Sequence, residues 1–545
     1  MSSLQTVPLI FGITGHMDLC EDDIPKLKTT IASLFNDYHT NYPNTDIIVI
    51  SALADGADML VAKVAQELDI SLHVALPYNK EDYISKSIDD KELFEELLIY
   101  AGDNVKTLDC QQDEHEKFTH CYQKLGEYIA DKSNILIALW DGVEEAKNNG
   151  GTAAVVRHKR DEPGENMFDS KDGNAIVVIP TSRKKDVSKL KNSSTPSTEY
   201  LGRLNQKSFE ENLSKFDLFN ADILNYNDAL RNIYISSTLA PLEQYKKFFG
   251  NKANTNQNQY KQLMSILLKL IVGAIIFLEI MHVFSGAEEL KSWSSNLIVF
   301  YVVFLVLAFG IYRWKLKKGK LQDDFIYSRG FSEAIRVQSA WNVTGLHKSV
   351  SAYFLRGQPP KLTWMRMGLK NIHYIDNGHY ESVAAWVRGQ INYFEKGINA
   401  REAELVPREQ AEKHLFYTGV IVAMIAFALY LLEWRHIIPH EHFPYNWHFL
   451  ILVSGIALLF AGYTKKYLYI QGYKEDKNNF EEILPSFEKA AELLGIDLED
   501  KNSHTVTEDK ELLERVVFDL GKKALVENSQ WVGLHDARRA KFGME

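Results

Sequence analysis

The chain has 545 residues, which is too many for one hydrophobic core and predicts two or more domains. Its formal net charge of -11 argues against nucleic acid as a partner, because the phosphate backbone repels an acidic protein. The three cysteines, Cys20, Cys110 and Cys121, match neither a disulfide framework nor a C-x-x-C metal pattern. They predict a reducing, cytosolic setting for the part of the chain that holds them.

Residues 1–190 alternate short apolar runs with helical segments. The runs that read as strands are "VPLIFGI" (7–13), "DIIVIS" (46–51), "SLHVALP" (71–77), "NILIALW" (134–140) and "AIVVIP" (175–180). Residues 22–39 and 57–68 carry apolar side chains at helical spacing. Short strands that are apolar on both faces and alternate with helices are typical of a parallel sheet with helices on both sides. The sequence therefore predicts an α/β fold, a Rossmann-like doubly wound sheet, over residues 1–190.

Three of these strands lead into loops of small residues: "GITGH" (12–16), "SALADGAD" (51–58) and the stretch from Asp141 to Thr152. Ligands of open parallel sheets bind at the carboxyl ends of strands, where helix N-termini offer free N–H groups. Asp55 is expected to cap a helix that begins at Gly56. Asp141 is placed to accept hydrogen bonds from ribose hydroxyls, and Gly150-Gly151-Thr152 to open a helix that holds a phosphate.

We therefore predict a nucleotide-derived ligand at this edge of the sheet. The predicted ligand-binding residues are Gly12, Thr14, Gly15, His16, Gly56, Ala57, Asp58, Asp141, Gly142, Gly150, Gly151 and Thr152. A tight turn without a ligand remains the alternative for each loop alone, because no P-loop and no G-x-G-x-x-G is present. No metal site is predicted, since His115 and His120 of "DEHEKFTHC" are five residues apart and lie on different helix faces.

Beyond residue 190 the chain is predicted to be helical and to cross a membrane. Four nearly uncharged stretches have the length that a bilayer requires: residues 262–285, 296–312, 415–432 and 447–464. They arrive as two pairs, which predicts two transmembrane hairpins. The predicted regions are a helical linker (191–260), hairpin 1 (261–320), a cytosolic helical region (321–412), hairpin 2 (413–466) and a C-terminal cytosolic helical region (467–545).

Basic residues orient the predicted hairpins. The segment "RWKLKKGK" (313–320) follows the second stretch, and Lys465 and Lys466 follow the fourth, whereas the hairpin loops carry only Lys291 and Arg435. The positive-inside rule therefore places both termini of this predicted multi-pass membrane protein in the cytoplasm. Within the first stretch, Lys269 and Glu279 are candidates to line a pore, with snorkelling toward the interface as the alternative.

Together, "FGITGHMDL" (11–19), "SALADGADMLVAKVA" followed by "HVALPY" (51–78), and "ILIALWDG" with "GGTAAVV" (135–156) resemble the SLOG superfamily over residues 5–185. These are Rossmann-like domains related to the lonely-guy phosphoribohydrolases and the DNA-processing protein A family. The hairpin regions, with "EAIRVQSAWN" and "LGKKALVENSQWVGLHDARR", are similar to the SLATT-type two-helix membrane modules that accompany SLOG domains in bacterial conflict systems.

The resemblance implies a bacterial antiphage effector that senses a cyclic nucleotide or an ADP-ribose derivative and permeabilises the membrane as a homo-oligomer. No further cofactor is expected, because the nucleotide is the activator. Lonely-guy enzymes carry a catalytic glutamate two residues after the threonine of their glycine motif, whereas "AAVV" follows Thr152 here. Relatives also often carry Arg at the position of Met17. The missing carboxylate favours a sensor over an enzyme, with a membrane-tethered, phosphoribohydrolase-like enzyme as the alternative.

Overall fold

The computed structural model describes residues 4–108, 110, 119–144, 151–162, 166, 171–184, 195–230, 241–285, 291–317, 320–376, 382–435, 437, 446–500 and 503–537. Its chain divides into two units, one of Met1–Tyr245 with His347–Tyr380 and one of Lys246–Leu346 with Glu381–Glu545. We call the first the sheet unit and the second the helical unit.

The strands of the sheet unit are β1 (Leu9–Gly15), β2 (Ile47–Ser51), β3 (Ser71–Leu76), β4 (Val105–Thr107), β5 (Ile135–Trp140), β6 (Ala175–Pro180) and β7 (Ser197–Tyr200). They form one sheet in the order β4-β3-β2-β1-β5-β6-β7, in which β1 to β6 are parallel and β7 is antiparallel to β6. The predicted α/β fold with an all-α region after it is confirmed.

The helices in chain order are α1 (Ile24–Asn41), α2 (Ala57–Glu67), α3 (Lys80–Ser87), α4 (Lys91–Ala101), α5 (Thr119–Lys132), α6 (Thr152–Asp161), α7 (Gln206–Leu230), α8 (Pro241–Ser285), α9 (Lys291–Gly310), α10 (Leu321–Val343), α11 (Thr363–Ile375), α12 (Val383–Trp434), α13 (Asn446–Gln471), α14 (Tyr473–Leu494) and α15 (Lys510–Ala537). Side chains of α1, α2, α4 and α7 cover one face of the sheet, and those of α5 and α6 cover the other. Burial on both faces explains why the strands read as uninterrupted apolar runs.

The sheet unit takes in more chain than residues 1–190. Strand β7 and helix α7 lie beyond that boundary, and residues 347–376 join the unit from the region between the two predicted hairpins. The Asn371 side-chain amide donates to the Pro8 carbonyl (2.7 Å) and to Asn134 Oδ1 (2.8 Å), and the Trp364 N–H donates to Asn212 Oδ1 (2.9 Å). Hydrogen bonds from buried amides fix this segment on the sheet unit.

Four helical stretches of the described chain are long and apolar enough to cross a membrane: Leu242–His282, Asn296–Val343, Val383–Trp434 and Phe449–Gln471. Between 6% and 28% of each apolar window is buried, so most of this surface faces outward, as in a protein surrounded by lipid. On α8, Lys269 is exposed and Glu279 is half-buried, and the pore-lining role predicted for them remains untested.

In each pair of apolar helices, the two helices pack closely at one glycine. A Cβ at Gly273 of α8 would lie 2.5 Å from the Phe304 ring of α9, and one at Gly419 of α12 would lie 2.8 Å from Leu458 Cγ of α13. The Ser454 hydroxyl also donates to the Gly419 carbonyl (2.8 Å). Small residues that let two helix backbones approach are typical of helix packing within membranes.

The prediction that the cysteines match no disulfide was wrong, and the cytosolic setting predicted with it stays a prediction. Cys110 and Cys121 form a disulfide with a Cα–Cα distance of 5.7 Å, and Cys20 is a free, half-buried thiol. Their separation of 11 residues gives no sign of the pairing, because the fold alone brings residue 110 to the start of α5. Disulfides are rare in reducing compartments, so this bond makes a direct test of the predicted orientation worthwhile.

Candidate functional site

The carboxyl ends of β1 and β5 lie side by side at the centre of the sheet. The chain runs outward from β1 through β2, β3 and β4, and from β5 through β6 on the other side. The loops that leave these two strands therefore diverge and leave a crevice, which is where open α/β sheets bind ligands. Two of the predicted small-residue loops, "GITGH" (12–16) and the stretch from Asp141, reach this edge of the sheet.

His16 and Asp141 meet at this crevice. The Asp141 N–H donates to His16 Nε2 (3.1 Å), Asp141 Oδ1 is 3.3 Å from the same nitrogen, and Oδ1 accepts the Val143 N–H (3.0 Å). Burial lowers the pKa of His16, and the charge of Arg183 adds to this effect, while Asp141 opposes it. His16 is therefore neutral at pH 7, and because Nε2 accepts, the hydrogen is assigned to Nδ1.

Arg183 is the residue that the sequence interpretation missed. Its Nε donates to Asp18 Oδ1 (2.9 Å), and the Lys184 N–H donates to the Asp18 carbonyl (2.8 Å). These bonds tie the loop after β6 to the loop after β1 and hold the Arg183 guanidinium, ion-paired with Asp18, beside the loop that carries Met17. Its place directly after the fifth predicted strand, at the same edge as His16, was the available signal.

The described residues leave space in front of the N-terminus of α6. Gly151 is its N-cap, and the Ala154 and Val155 N–H groups donate to the Gly151 carbonyl at 2.9 and 3.1 Å. No described atom lies within 4 Å of where a Cβ would stand at Gly142 or at Gly151. The first N–H groups of a helix lack acceptors within it, so this end suits an anionic group. Thr152 begins the helix, and Gly150 lies outside the described residues.

The other predicted glycines are occupied by packing. A Cβ at Gly12 would lie 2.9 Å from Ile129 of α5, and one at Gly15 would lie 2.3 Å from Ala57 Cβ. Gly56 has a φ of +79°, and its Cβ would lie 2.3 Å from the Met17 carbonyl oxygen. Glycine at these three positions therefore allows close packing of helices and loops, and the ligand contact predicted for them stays a prediction.

Ala57 is fully buried, and its N–H donates to the His16 carbonyl (3.0 Å), so it too serves the packing of α2. Thr14 is buried near the end of β1 with 8% of its surface exposed. Of the predicted ligand-binding residues, Thr14, His16, Asp141, Gly142, Gly151 and Thr152 lie at the carboxyl ends of β1 and β5 or at the start of α6, and the side chains of His16 and Asp141 are 10% and 8% exposed.

Asp55 does not cap α2. Its carboxylate accepts the backbone N–H groups of Asp89 (2.8 Å) and Asp90 (3.2 Å), and α2 begins at Ala57 with Gly56 as an N-cap that makes no side-chain bond. The carboxylate thus holds the loop that precedes α4. Asp58, in the first turn of α2, is buried with 7% of its surface exposed.

Asp58 gives the sheet unit a pH-dependent stability. Burial raises the pKa of this carboxyl to about 7, against a weaker opposing hydrogen bond from the Ala54 backbone. Because the folded-state pKa exceeds the unfolded value of about 3.9, folding favours the protonated form. The free energy of unfolding therefore falls as pH rises from about 4 to about 7 and stays reduced above that.

We expect Asp58→Asn to stabilise the sheet unit at pH 8 by as much as ~4 kcal/mol, and to change little at pH 4. Thermal unfolding of the detergent-solubilised protein at the two pH values measures this difference. The exposed Asp103→Asn is the matched control and should leave the profile unchanged. An equal effect of Asp58→Asn at both pH values would show that Asp58 does not titrate in this range.

The larger cavities lie away from the crevice. One of about 730 Å³ includes Ser71, His73 and Tyr374 in its wall, and one of about 330 Å³ is bordered by Asn134 and Asn174, at the amino ends of β5 and β6. Burial lowers the pKa of His73 to about 4, and its Nδ1 lies 2.9 Å from the Tyr374 hydroxyl. The crevice is thus defined by the strand order and by the space that the described residues leave at the N-terminus of α6, and not by an enclosed cavity.

Within the described residues, no group of three or more His, Cys, Asp or Glu side chains is placed to hold a metal ion. No protein-family model matches the chain, and a search of curated proteins finds no significant match. The functional interpretation therefore rests on the crevice and on the membrane helices.

Proposed function

We propose that the protein is a membrane effector whose sheet unit binds a nucleotide-derived second messenger at the crevice and thereby gates the apolar helices. The ligand class is a cyclic nucleotide or an ADP-ribose derivative. Its phosphate is expected at the N-terminus of α6 and near Arg183, and its ribose at Asp141. Four helices rarely enclose a pore by themselves, so the active form is a homo-oligomer. Its place is the inner membrane of a bacterium, and its role is antiphage defence.

One observation carries the coupling between ligand and membrane. Residues 347–376 belong to the sheet unit, yet in the chain they lie between two pairs of apolar helices. They begin shortly after α10 ends at Val343 and finish shortly before α12 begins at Val383. A change in how this segment packs on the sheet unit is transmitted covalently to a helix on each side.

The energy required is modest. A hundredfold change in the ratio of open to closed forms needs about 2.7 kcal/mol of difference in ligand affinity between them. A phosphate at a helix N-terminus contributes part of this, and Arg183 and linked subunits add to it. A thermal-shift screen of the purified protein with cyclic dinucleotides, cyclic trinucleotides and ADP-ribose tests the binding step.

A tethered nucleotide-processing enzyme is the second candidate. The observation that favours it is the pairing of His16 with Asp141, because a neutral imidazole is able to act as a general base once its Nε2 releases the Asp141 N–H. Chromatography of each nucleotide after incubation with the protein separates the two functions. An effector returns its ligand intact, and an enzyme converts it.

The proposed orientation makes a separate prediction. Cysteines introduced at Ser294 or His440, in the predicted outer loops, should react with an impermeant thiol reagent in intact cells. Cysteines at Lys320 or Ser503 should react only after the cells are permeabilised, because the basic residues hold these segments in the cytoplasm. The parent chain, with Cys20, Cys110 and Cys121, supplies the background. Labelling in the reverse pattern would place the sheet unit outside the cytoplasm and remove the effector proposal.

A further inference from the structure

The cavity of about 330 Å³ in the sheet unit lies at the opposite edge of the sheet from the crevice. Asn134 and Asn174, which border it, directly precede β5 and β6. Six residues of strand separate Asn134 from Asp141, which is a distance of about 20 Å. The cavity is therefore a separate place from the crevice, and nothing about the crevice depends on it.

Positive charge dominates the cavity wall. Its cationic side chains are Lys132, Lys159, Lys171, Arg366 and Lys370. The two carboxylates in the wall already have basic partners. Asp172 accepts the Arg203 guanidinium at 2.6 and 2.9 Å, and Asp131 lies 2.9 Å from His158 Nε2. Against the effect of burial, the charges of Lys159 and Lys370 also lower the pKa of Asp131, so this carboxylate offsets part of their charge. Five cationic side chains against two carboxylates still leave the wall with a net positive charge.

The wall has more ammonium groups than the C-terminus of α5 needs. Lys159 Nζ donates to the carbonyls of Ala130 (2.6 Å) and Ser133 (2.7 Å), near the C-terminus of α5, where a cation is favourable. One ammonium group is enough for that role. Lys370 Nζ donates to the same Ser133 carbonyl (2.7 Å), so two ammonium groups share one neutral oxygen. Like charges held this close in a wall of low exposure favour an anion between or beside them.

His373 supplies an observation independent of the lysines. Its Nδ1 is buried and has no hydrogen-bond partner in the described part of the chain, although His373 lines the cavity. Burial, with the charges of Lys132, His347 and Lys106, lowers the pKa of this imidazole to about 4, so the ring is neutral at pH 7. A buried polar atom without a partner costs free energy, which a bound ligand would recover once the imidazole ring turns Nδ1 toward the cavity.

We propose that this cavity binds a phosphate-bearing small molecule, up to the size of a mononucleotide. Its phosphate contacts Lys132, Arg366 and Lys370, and His373 Nδ1 donates to it or to its ester group. A volume of about 330 Å³ lies at the lower end of the range for small-molecule sites. The cavity joins two pieces of the sheet unit, because Lys132 comes from α5 and Arg366 and Lys370 come from α11. The anion therefore fastens residues 347–376 to the sheet.

Titration of the full-length protein in phosphatidylcholine nanodiscs with inorganic phosphate, AMP and adenosine tests this site. We expect phosphate and AMP to bind and to weaken with added salt, and adenosine to fail, since it lacks the charge. Nanodiscs that also contain phosphatidylglycerol distinguish the source of the anion. Loss of AMP binding there identifies a lipid headgroup as the natural occupant, and retention identifies a soluble phosphate; both outcomes support the site.

Three variants locate the binding. Lys370→Gln should weaken AMP binding by roughly tenfold to a hundredfold, the usual effect of one hydrogen bond to a charged group. Lys370→Arg should restore part of it. Lys132→Gln, at a half-buried position, should weaken binding as well and covers the case in which Lys370→Gln does not fold. The exposed Lys26→Gln is the control.

Two results would overturn the proposal. One is the absence of binding by phosphate and AMP at millimolar concentration, and the other is equal binding by the parent, Lys370→Gln and Lys132→Gln. Gly151→Trp, which changes the crevice, should leave AMP binding at this cavity unchanged. Failure of this proposal is therefore distinguishable from failure of the proposed function.

Discussion

Gly151→Trp is expected to abolish the response to the nucleotide ligand while leaving the protein folded. The position of a Cβ at Gly151 has no described atom within 4 Å, and its φ of -93° is one that any residue adopts. The backbone therefore accepts a side chain at this position, and an indole would fill the space in front of the α6 N–H groups where a phosphate is expected. We expect ligand affinity to fall more than a hundredfold, measured by titration of the purified variant.

Ile99→Trp is the matched control for this variant. Ile99 lies on α4 of the same unit with 78% of its surface exposed, so the substitution adds an indole far from the crevice. Thermal unfolding should be near that of the parent for both variants. If Gly151→Trp binds ligand as tightly as Ile99→Trp, the crevice at α6 is not the ligand site.

Trp531→Ala is expected to destabilise the helical unit by ~3–5 kcal/mol, the usual cost of removing a large buried side chain. Trp531 of α15 is 2% exposed, and its Nε1 donates to Asp476 Oδ1 of α14 (3.1 Å). Its ring meets the edge of Phe325 at 5.5 Å and lies 4.2 Å beneath the Arg329 guanidinium, both on α10. The residue thus joins three helices through one core position.

Hydrogen exchange of α10, α14 and α15 in the full-length protein measures this loss. Trp531→Phe retains most of the ring contact and loses only the hydrogen bond to Asp476, so its effect should be clearly smaller. Val526→Ala, at a position of α15 with 52% of its surface exposed, should change protection little. Equal protection in Trp531→Ala and Val526→Ala would mean that these helices do not depend on the Trp531 contacts.

The strands and membrane helices were readable from the sequence because each carries a strong local pattern. β5 is buried at every residue, and α9 is apolar on all sides, so neither depends on distant contacts to be recognised. β4 and β7 were not predicted because they are short and largely exposed, which leaves no apolar run. A polar edge strand is indistinguishable from a loop in a single sequence.

The glycines of the candidate site show the limit of local patterns. Gly15 and Gly151 both follow the apolar run of a predicted strand, yet a Cβ at Gly15 would overlap Ala57, whereas one at Gly151 would have no described atom within 4 Å. The difference at Gly15 arises because α2, which begins at Ala57, packs against it. The docking of residues 347–376 was likewise invisible, because it depends on Asn371 reaching Pro8 across more than 360 positions of chain. Such pairings are properties of the tertiary fold.

The arrangement of the sheet unit also guides how the coupling is tested. Removing residues 1–190 would leave residues 347–376 without the surface on which they pack. A deletion variant that does not respond to ligand would therefore not separate loss of the ligand site from misfolding of this segment. Point variants at the crevice keep both pieces of the unit intact. Gly151→Trp and Ile99→Trp are therefore the pair to carry into a membrane assay.

Ion leakage from liposomes that contain the purified protein is the most direct test of ligand-gated permeability. Liposomes loaded with an ion-sensitive dye receive the cyclic dinucleotides, cyclic trinucleotides and ADP-ribose in turn, with chromatography of the nucleotide from the same samples. We predict leakage with one nucleotide class only, with that nucleotide recovered intact, with Ile99→Trp behaving as the parent and Gly151→Trp remaining tight. Conversion of a nucleotide to product while the liposomes of the parent protein stay tight would contradict the effector and establish the tethered enzyme.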